Sequence, residues 1–175
     1  MSFHVAIFHH SPIVFFPLVV ETLSQFRIIF GSVQKHFALI EKSFGISGSQ
    51  LWIIHEINKF PGIGVSELSL KLHIHQSTCS LLIEKLVKKG LICKIRSAED
   101  QRKICIKLNP SAKKILKNSP KPSEGVLPDA LSKLNKRQLI SLTSLLNQVI
   151  NNLKIRDIKS ATTPLSEISK KSSKF

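Results

Sequence analysis

From Leu23 onward the apolar side chains fall at Leu23, Phe26, Phe30, Val33, Phe37, Ile40 and Phe44, a spacing that alternates between three and four. Held over about three heptads, this predicts a helix with a narrow apolar seam suited to another helix. One long helix inside a single domain would satisfy the same pattern. Ser47 and Gln50 then stand at the first and fourth positions of a capping box, opening a helix from Leu51 to about Asn58 with Leu51, Ile54 and Ile57 inward. Pro61-Gly62 ends it, and Gly64 with Glu67 starts a short helix through Leu72. After turn residues His73 to His75, a further helix runs from about Gln76 to Lys89, with Cys79, Leu82, Ile83 and Leu86 inward and Gly90 as its terminating glycine.

Beyond Gly90 the period changes to two. Leu91 to Arg96 and Lys103 to Leu108, joined by the polar turn Ser97 to Gln101, predict a β-hairpin with a basic outer side. Asn109 caps a helix with Pro110 at its first position, where the missing N–H costs nothing, and this helix runs to about Asn118. Pro120, Pro122, Gly125 and Pro128 interrupt the pattern before a last helix, Lys136 to about Ile155. Its stripe of Leu139, Leu142, Leu146, Val149 and Leu153 is again spaced three and four. Residues 156–175 are rich in Ser and Lys and read as a disordered tail.

Charge changes the picture. The 175 residues carry 26 Lys+Arg against 11 Asp+Glu, a formal net charge of +15 that favours polyanionic partners. Residues 61–118 hold twelve of the cations and four of the anions, so the excess is concentrated on the central module. The three cysteines lack disulfide or zinc spacing, which points to a reducing cytoplasm and buried or half-buried thiols. Residues 1–20 form an atypical apolar segment, broken by Pro12 and Pro17, that reads as neither a signal peptide nor a bilayer span. No phosphate-cradling loop, HExxH or nucleophile elbow is present, which argues against an enzyme, and no cofactor is implied.

A short helix, a tight turn, a second helix and a basic hairpin in that order form a winged helix-turn-helix. The fold class expected is therefore mainly α with a small β-hairpin wing, flanked by N- and C-terminal helices suited to dimerisation. The second helix would enter the major groove, bringing Gln76, Ser77, Thr78, Ser80 and Leu81 to base edges, while Lys85, Lys88 and Lys89 reach phosphates. On the hairpin, Arg96, Asp100, Arg102 and Lys103 are the candidates, with Asp100 holding the Arg102 guanidinium toward the minor groove. A charged turn that is merely solvated is the competing view of that tip.

The stretch Val65 to Asn109 resembles the MarR family of transcriptional regulators. The resemblance rests on Ser66-Glu67-Leu68, Gln76 to Ser80, Glu84-Lys85-Leu86, Lys88 to Ile92, and above all the wing Arg96 to Arg102 before Leu108-Asn109. With the flanking helices it covers roughly Leu23 to Leu153, giving a domain over 21–155. The winged unit would occupy about 48–109 and the dimerisation helices about 21–45 and 110–155. It implies a homodimeric repressor on double-stranded DNA, joined through Leu23, Phe26, Phe30 and Val33 with Leu142, Leu146 and Val149. It further implies release by a small aromatic or anionic effector held between DNA-binding and dimerisation regions, in a cytoplasmic, nucleoid-associated protein with no membrane partner. Three departures stand out: Leu81 where the family often has a basic residue, His73 in place of a small turn residue, and His75 at a position usually filled by a Ser N-cap.

Other readings compete with a repressor. Cys79, Cys93 and Cys105 could make a redox sensor if the hairpin register set Cys93 against Cys105. A winged-helix module that binds a protein partner instead of DNA is another. A metal sensor built on His4, His9 and His10, or on His73 and His75, lacks Cys or carboxylate neighbours at a ligand spacing in either group.

Overall fold

In a computed structural model, residues 12–96 and 104–171 are described. Helix α1 spans Pro12–Phe44, followed by α2 (Gly48–Lys59), α3 (Val65–Lys71) and α4 (Gln76–Lys88). Strands β1 (Ile92–Arg96) and β2 (Ile104–Leu108) form an antiparallel hairpin, and α5 (Pro110–Asn118), α6 (Val126–Ser132) and α7 (Lys136–Asn152) follow. A short 3-10 helix at Ile158–Thr162 and α8 (Leu165–Lys171) complete the order. This is a winged helix-turn-helix set between long flanking helices, the fold class expected.

The core lies in the winged lobe. Ile53, Ile54 and Ile57 of α2, Leu68 of α3, Cys79, Ile83 and Leu86 of α4, Ile92 and Ile106 of the hairpin, and Ala112 of α5 form one buried cluster. The signals at the ends of these elements act as anticipated. Ser47 and Gln50 close a reciprocal capping box on α2, and Gly90 leaves α4 with φ 65°. The Asn109 side chain and the Ser111 hydroxyl both donate to the Gly90 carbonyl, tying the start of α5 to the end of α4. One backbone bond adds a contact that periodicity does not carry: Ile106 N–H donates to the Ile63 carbonyl at 3.1 Å, fastening the wing to the loop before α3.

Three differences from the sequence reading concern the flanks. First, residues 12–20 are not a segment apart but continue α1 through Pro17. The Phe16–Phe44 part, which contains an 18-residue window of mean hydropathy 1.2, is by length and composition alone long and apolar enough to cross a membrane. Its C-terminal half is committed to the lobe, where Val33 and Ile40 are buried. Second, the proline-rich break contains α6, with Gly125 at φ 108° before it and Pro128 in its first turn, where a proline is tolerated. Third, the tail expected to be disordered carries the 3-10 helix and α8, and Ser166 is buried against α2. Composition misled here because polar contacts from Ser49 to Ser166 and Glu167 help to hold this segment, and a polar tract gives no sign of them.

Candidate nucleic-acid interface and adjoining cavity

Helix α4 divides cleanly into two faces. Cys79, Leu82, Ile83 and Leu86 are buried, while Gln76, Ser77, Leu81, Lys85 and Lys88 are exposed and Thr78 and Ser80 are half-buried. The exposed residues start at the helix N-terminus, where side chains reach base edges in a docked helix-turn-helix. Leu81, 57% exposed, sits among them and offers only apolar contact, such as with a thymine methyl. The turn that sets the α3–α4 angle passes through His73, whose φ of 52° is unusual for a residue with a side chain. His75 occupies the N-cap of α4 without a side-chain capping bond.

Two lysines near this face have assigned partners. Lys89 Nζ donates to the Gly45 carbonyl at the C-terminal end of α1 while the residue remains exposed. Lys94 of β1 pairs with Glu84 of α4, tying wing to recognition helix. The Lys94 hydrogen bond and charge hold the Glu84 carboxyl below the usual carboxylate range. The Glu84–Lys94 pair is invisible to sequence reasoning because its partners lie on different elements. Arg96 ends β1 exposed. Asp100, Arg102 and Lys103 lie outside the described residues.

The hairpin register decides the cysteine question. Cys93 faces Lys107 and Cys105 faces Ile95, so the two cysteines are diagonal neighbours, at a spacing of about 7–8 Å that exceeds disulfide reach. Cys79 is fully buried, and burial pushes its thiol up to about 11, away from the reactive thiolate. The condition set for a cross-strand redox pair is not met.

Of the proposed dimerisation stripe on α1, Phe26 is half-buried and Val33 buried, while Leu23 and Phe30 remain exposed, Phe30 by 65%. On α7, Leu142 and Leu146 are half-buried and Val149 is exposed. Neither stripe is covered in full by another element among the described residues.

A cavity of about 200 Å³ lies where the lobe meets the flanking elements. Val33 and Phe37 of α1, Trp52 of α2, Leu72 and Ile74 around the helix-turn-helix turn, and Leu127 and Pro128 of α6 give it apolar walls. Gly48 permits this arrangement, since a Cβ there would collide with the Phe37 ring. Next to Phe37 on α1, with ring centroids 6.2 Å apart, His36 is buried with its Nε2 lacking a hydrogen-bond partner among the described residues. Burial lowers its pKa, partly opposed by a hydrogen bond to the Pro122 carbonyl.

Comparison with known proteins points one way. The family model described as the transcriptional regulator SarA/Rot matches residues 35–119. The HTH-type transcriptional regulator YdgJ of Bacillus subtilis (strain 168) is 25% identical over 116 residues, 65% of this chain and 71% of that protein. Among solved structures, the transcription regulator MarR from Oenococcus oeni PSU-1 is 25% identical, with a TM-score of 0.52 over 74% of this chain and 98% of that one. A MepR-like protein crystallised with pseudoligands shares the fold at 15% identity, TM-score 0.53, over 75% of this chain and 92% of the other.

Proposed function

We propose, starting from a chain that is a winged-helix transcriptional regulator of the MarR type and not an enzyme, that it works as a homodimeric repressor of double-stranded DNA released by a small molecule. The observation that carries the DNA reading is the two-sided α4: a buried apolar face fixed in the core and an exposed polar face beginning at its N-terminus. Gln76, Ser77, Thr78, Ser80 and Leu81 address base edges, while Lys85 and Lys88 address phosphates. Arg96, Asp100, Arg102 and Lys103 of the wing take the adjacent minor groove, with Arg102 as the inserted side chain.

The exposed stripes of α1 and α7 support a second copy as their cover, since heptad-spaced side chains are shaped for helices. Such a dimer would place its two α4 helices about 34–36 Å apart on successive major grooves. The cavity beside Trp52 touches α1, α2, the helix-turn-helix turn and α6, so an occupant there could favour one lobe spacing over another. A reducing cytoplasm, with access to the nucleoid, is the compartment this function requires.

Fluorescence anisotropy against intergenic DNA beside the protein's own gene and against scrambled DNA, at low and physiological salt, tests the reading. Specific binding that survives physiological salt is the expected result, and Arg102→Ala should weaken it and lower the salt slope by about one unit. An unchanged slope and affinity would remove Arg102 from the interface. No binding at all would favour a module that docks on protein.

A further inference from the structure

The C-terminal segment contributes to the cavity. Ala161, Thr163, Pro164, Leu165 and Ser166 form one wall, and the same stretch is latched to the start of α2. Ser49 N–H donates to Ser166 Oγ at 3.1 Å, the two hydroxyls are in direct contact, and Ser49 Oγ donates to Glu167 Oε1 at 3.3 Å. This segment follows α7, so it carries the chain from the end of α7 along one wall of the cavity to the start of α2. Polar contacts predominate in the latch, and polar latches open at lower cost than apolar interdigitation because water replaces the lost bonds.

The lining also limits what can enter. Despite a net charge of +15, no Lys or Arg lines the cavity among the described residues, and its titratable lining side chains are Glu124 and His73. An anion buried there would lose hydration without gaining a permanently charged cationic partner. The volume, about 200 Å³, is slightly above that of an engineered apolar cavity of about 150 Å³ that accepts benzene. It matches a single aromatic ring with a small substituent.

We propose that residues 158–168 form a strap gating this cavity through the Ser49–Ser166 latch, and that the ligand admitted is a single-ring aromatic that is neutral or positively charged. This departs from the anionic effector that the family resemblance implies. It rests on the effector reading above for its link to DNA, but ligand entry can be measured with no DNA present.

Trp52, the only tryptophan of the chain, lines the cavity and reports occupancy by its fluorescence. The full chain is titrated with toluene, benzylamine and benzoate. Saturable signals for the first two, with benzoate at least tenfold weaker, are expected; equal or tighter benzoate binding overturns the charge assignment, and no saturable signal from any probe overturns the site. For the gate, Ser49→Cys with Ser166→Cys is made in a Cys93→Ser, Cys105→Ser background, because the touching hydroxyls stand where a disulfide's sulfurs would. Stopped-flow exchange of toluene should slow at least tenfold when this pair is oxidised and recover on reduction. Ser166→Ala should speed exchange several-fold while keeping the ligand ranking. Equal rates in the oxidised, reduced and Ser166→Ala proteins would overturn the strap. Ligand binding without any effect on DNA anisotropy would leave strap and site intact and remove only the effector reading.

Discussion

Phe30→Glu tests the proposed dimer interface separately from the fold. Phe30 is 65% exposed in the single chain, so its ring contributes little to the lobe. A Phe side chain presents about 150–250 Å², which leaves roughly 100–160 Å² for a second copy to cover. At about 25 cal/mol/Å² that is worth roughly 2.5–4 kcal/mol, and a two-fold interface loses it twice. Incomplete cover and association costs cut this figure. Even half of the doubled value, about 2.5–4 kcal/mol, raises the dimer Kd by about 70-fold or more. The buried carboxylate adds its own penalty. Sedimentation velocity across a concentration series reads the change, and thermal unfolding at a concentration where both proteins are monomeric checks that the lobe is unaffected. A wild-type chain that stays monomeric at high concentration, or a variant that dimerises as tightly as wild type, would refute the assignment of this stripe.

Three further outcomes follow from single residues. His73→Gly relieves a left-handed backbone at the α3–α4 turn and should raise stability by about 1 kcal/mol in urea unfolding; a loss would mean the imidazole makes a compensating contact. His36 is favoured neutral in the folded chain, its pKa lowered from 6.5, so the unfolded chain binds more protons as pH falls below that value. The stability it contributes is complete above pH 6.5 and declines with acidification toward its folded pKa, and His36→Leu should remove that part of the pH dependence measured by denaturant midpoints. Cys79, with its thiol pushed up to about 11 and no exposed surface, should resist a thiol reagent at pH 8 in native protein and react on unfolding. Cys93 and Cys105 should react without unfolding, and peroxide should leave DNA binding unchanged.

The winged lobe was legible because its signals are local. Ser47 and Gln50 lie three residues apart and cap each other, Gly90 provides a left-handed stop, and the shift from a period near 3.6 to two marks the wing. Interactions between distant elements were not legible. Lys89 looked like any basic residue at a helix end until the chain brought Gly45 beneath it, and Glu84 gave no sign of Lys94. The register against disulfide formation depended on how a seven-residue turn closed, which alternation alone does not fix. The C-terminal strap was missed for a related reason: Ser166 is a polar residue in a polar tract, and only its burial against Ser49 distinguishes it from its neighbours.

The Lys89–Gly45 contact links the end of α4 to the end of α1. From Phe26 to Phe44 the axis of α1 is about 27 Å long at roughly 1.5 Å per residue. With the N-terminal part of α1 as fulcrum, a tilt of about 7° swings the far end by about 3.3 Å, close to the roughly 3.4 Å rise between neighbouring base pairs. In the proposed dimer the long helix would act as a lever arm on the scale of one base-pair step, and a small disturbance near its N-terminal part would put the two α4 helices one base pair out of step.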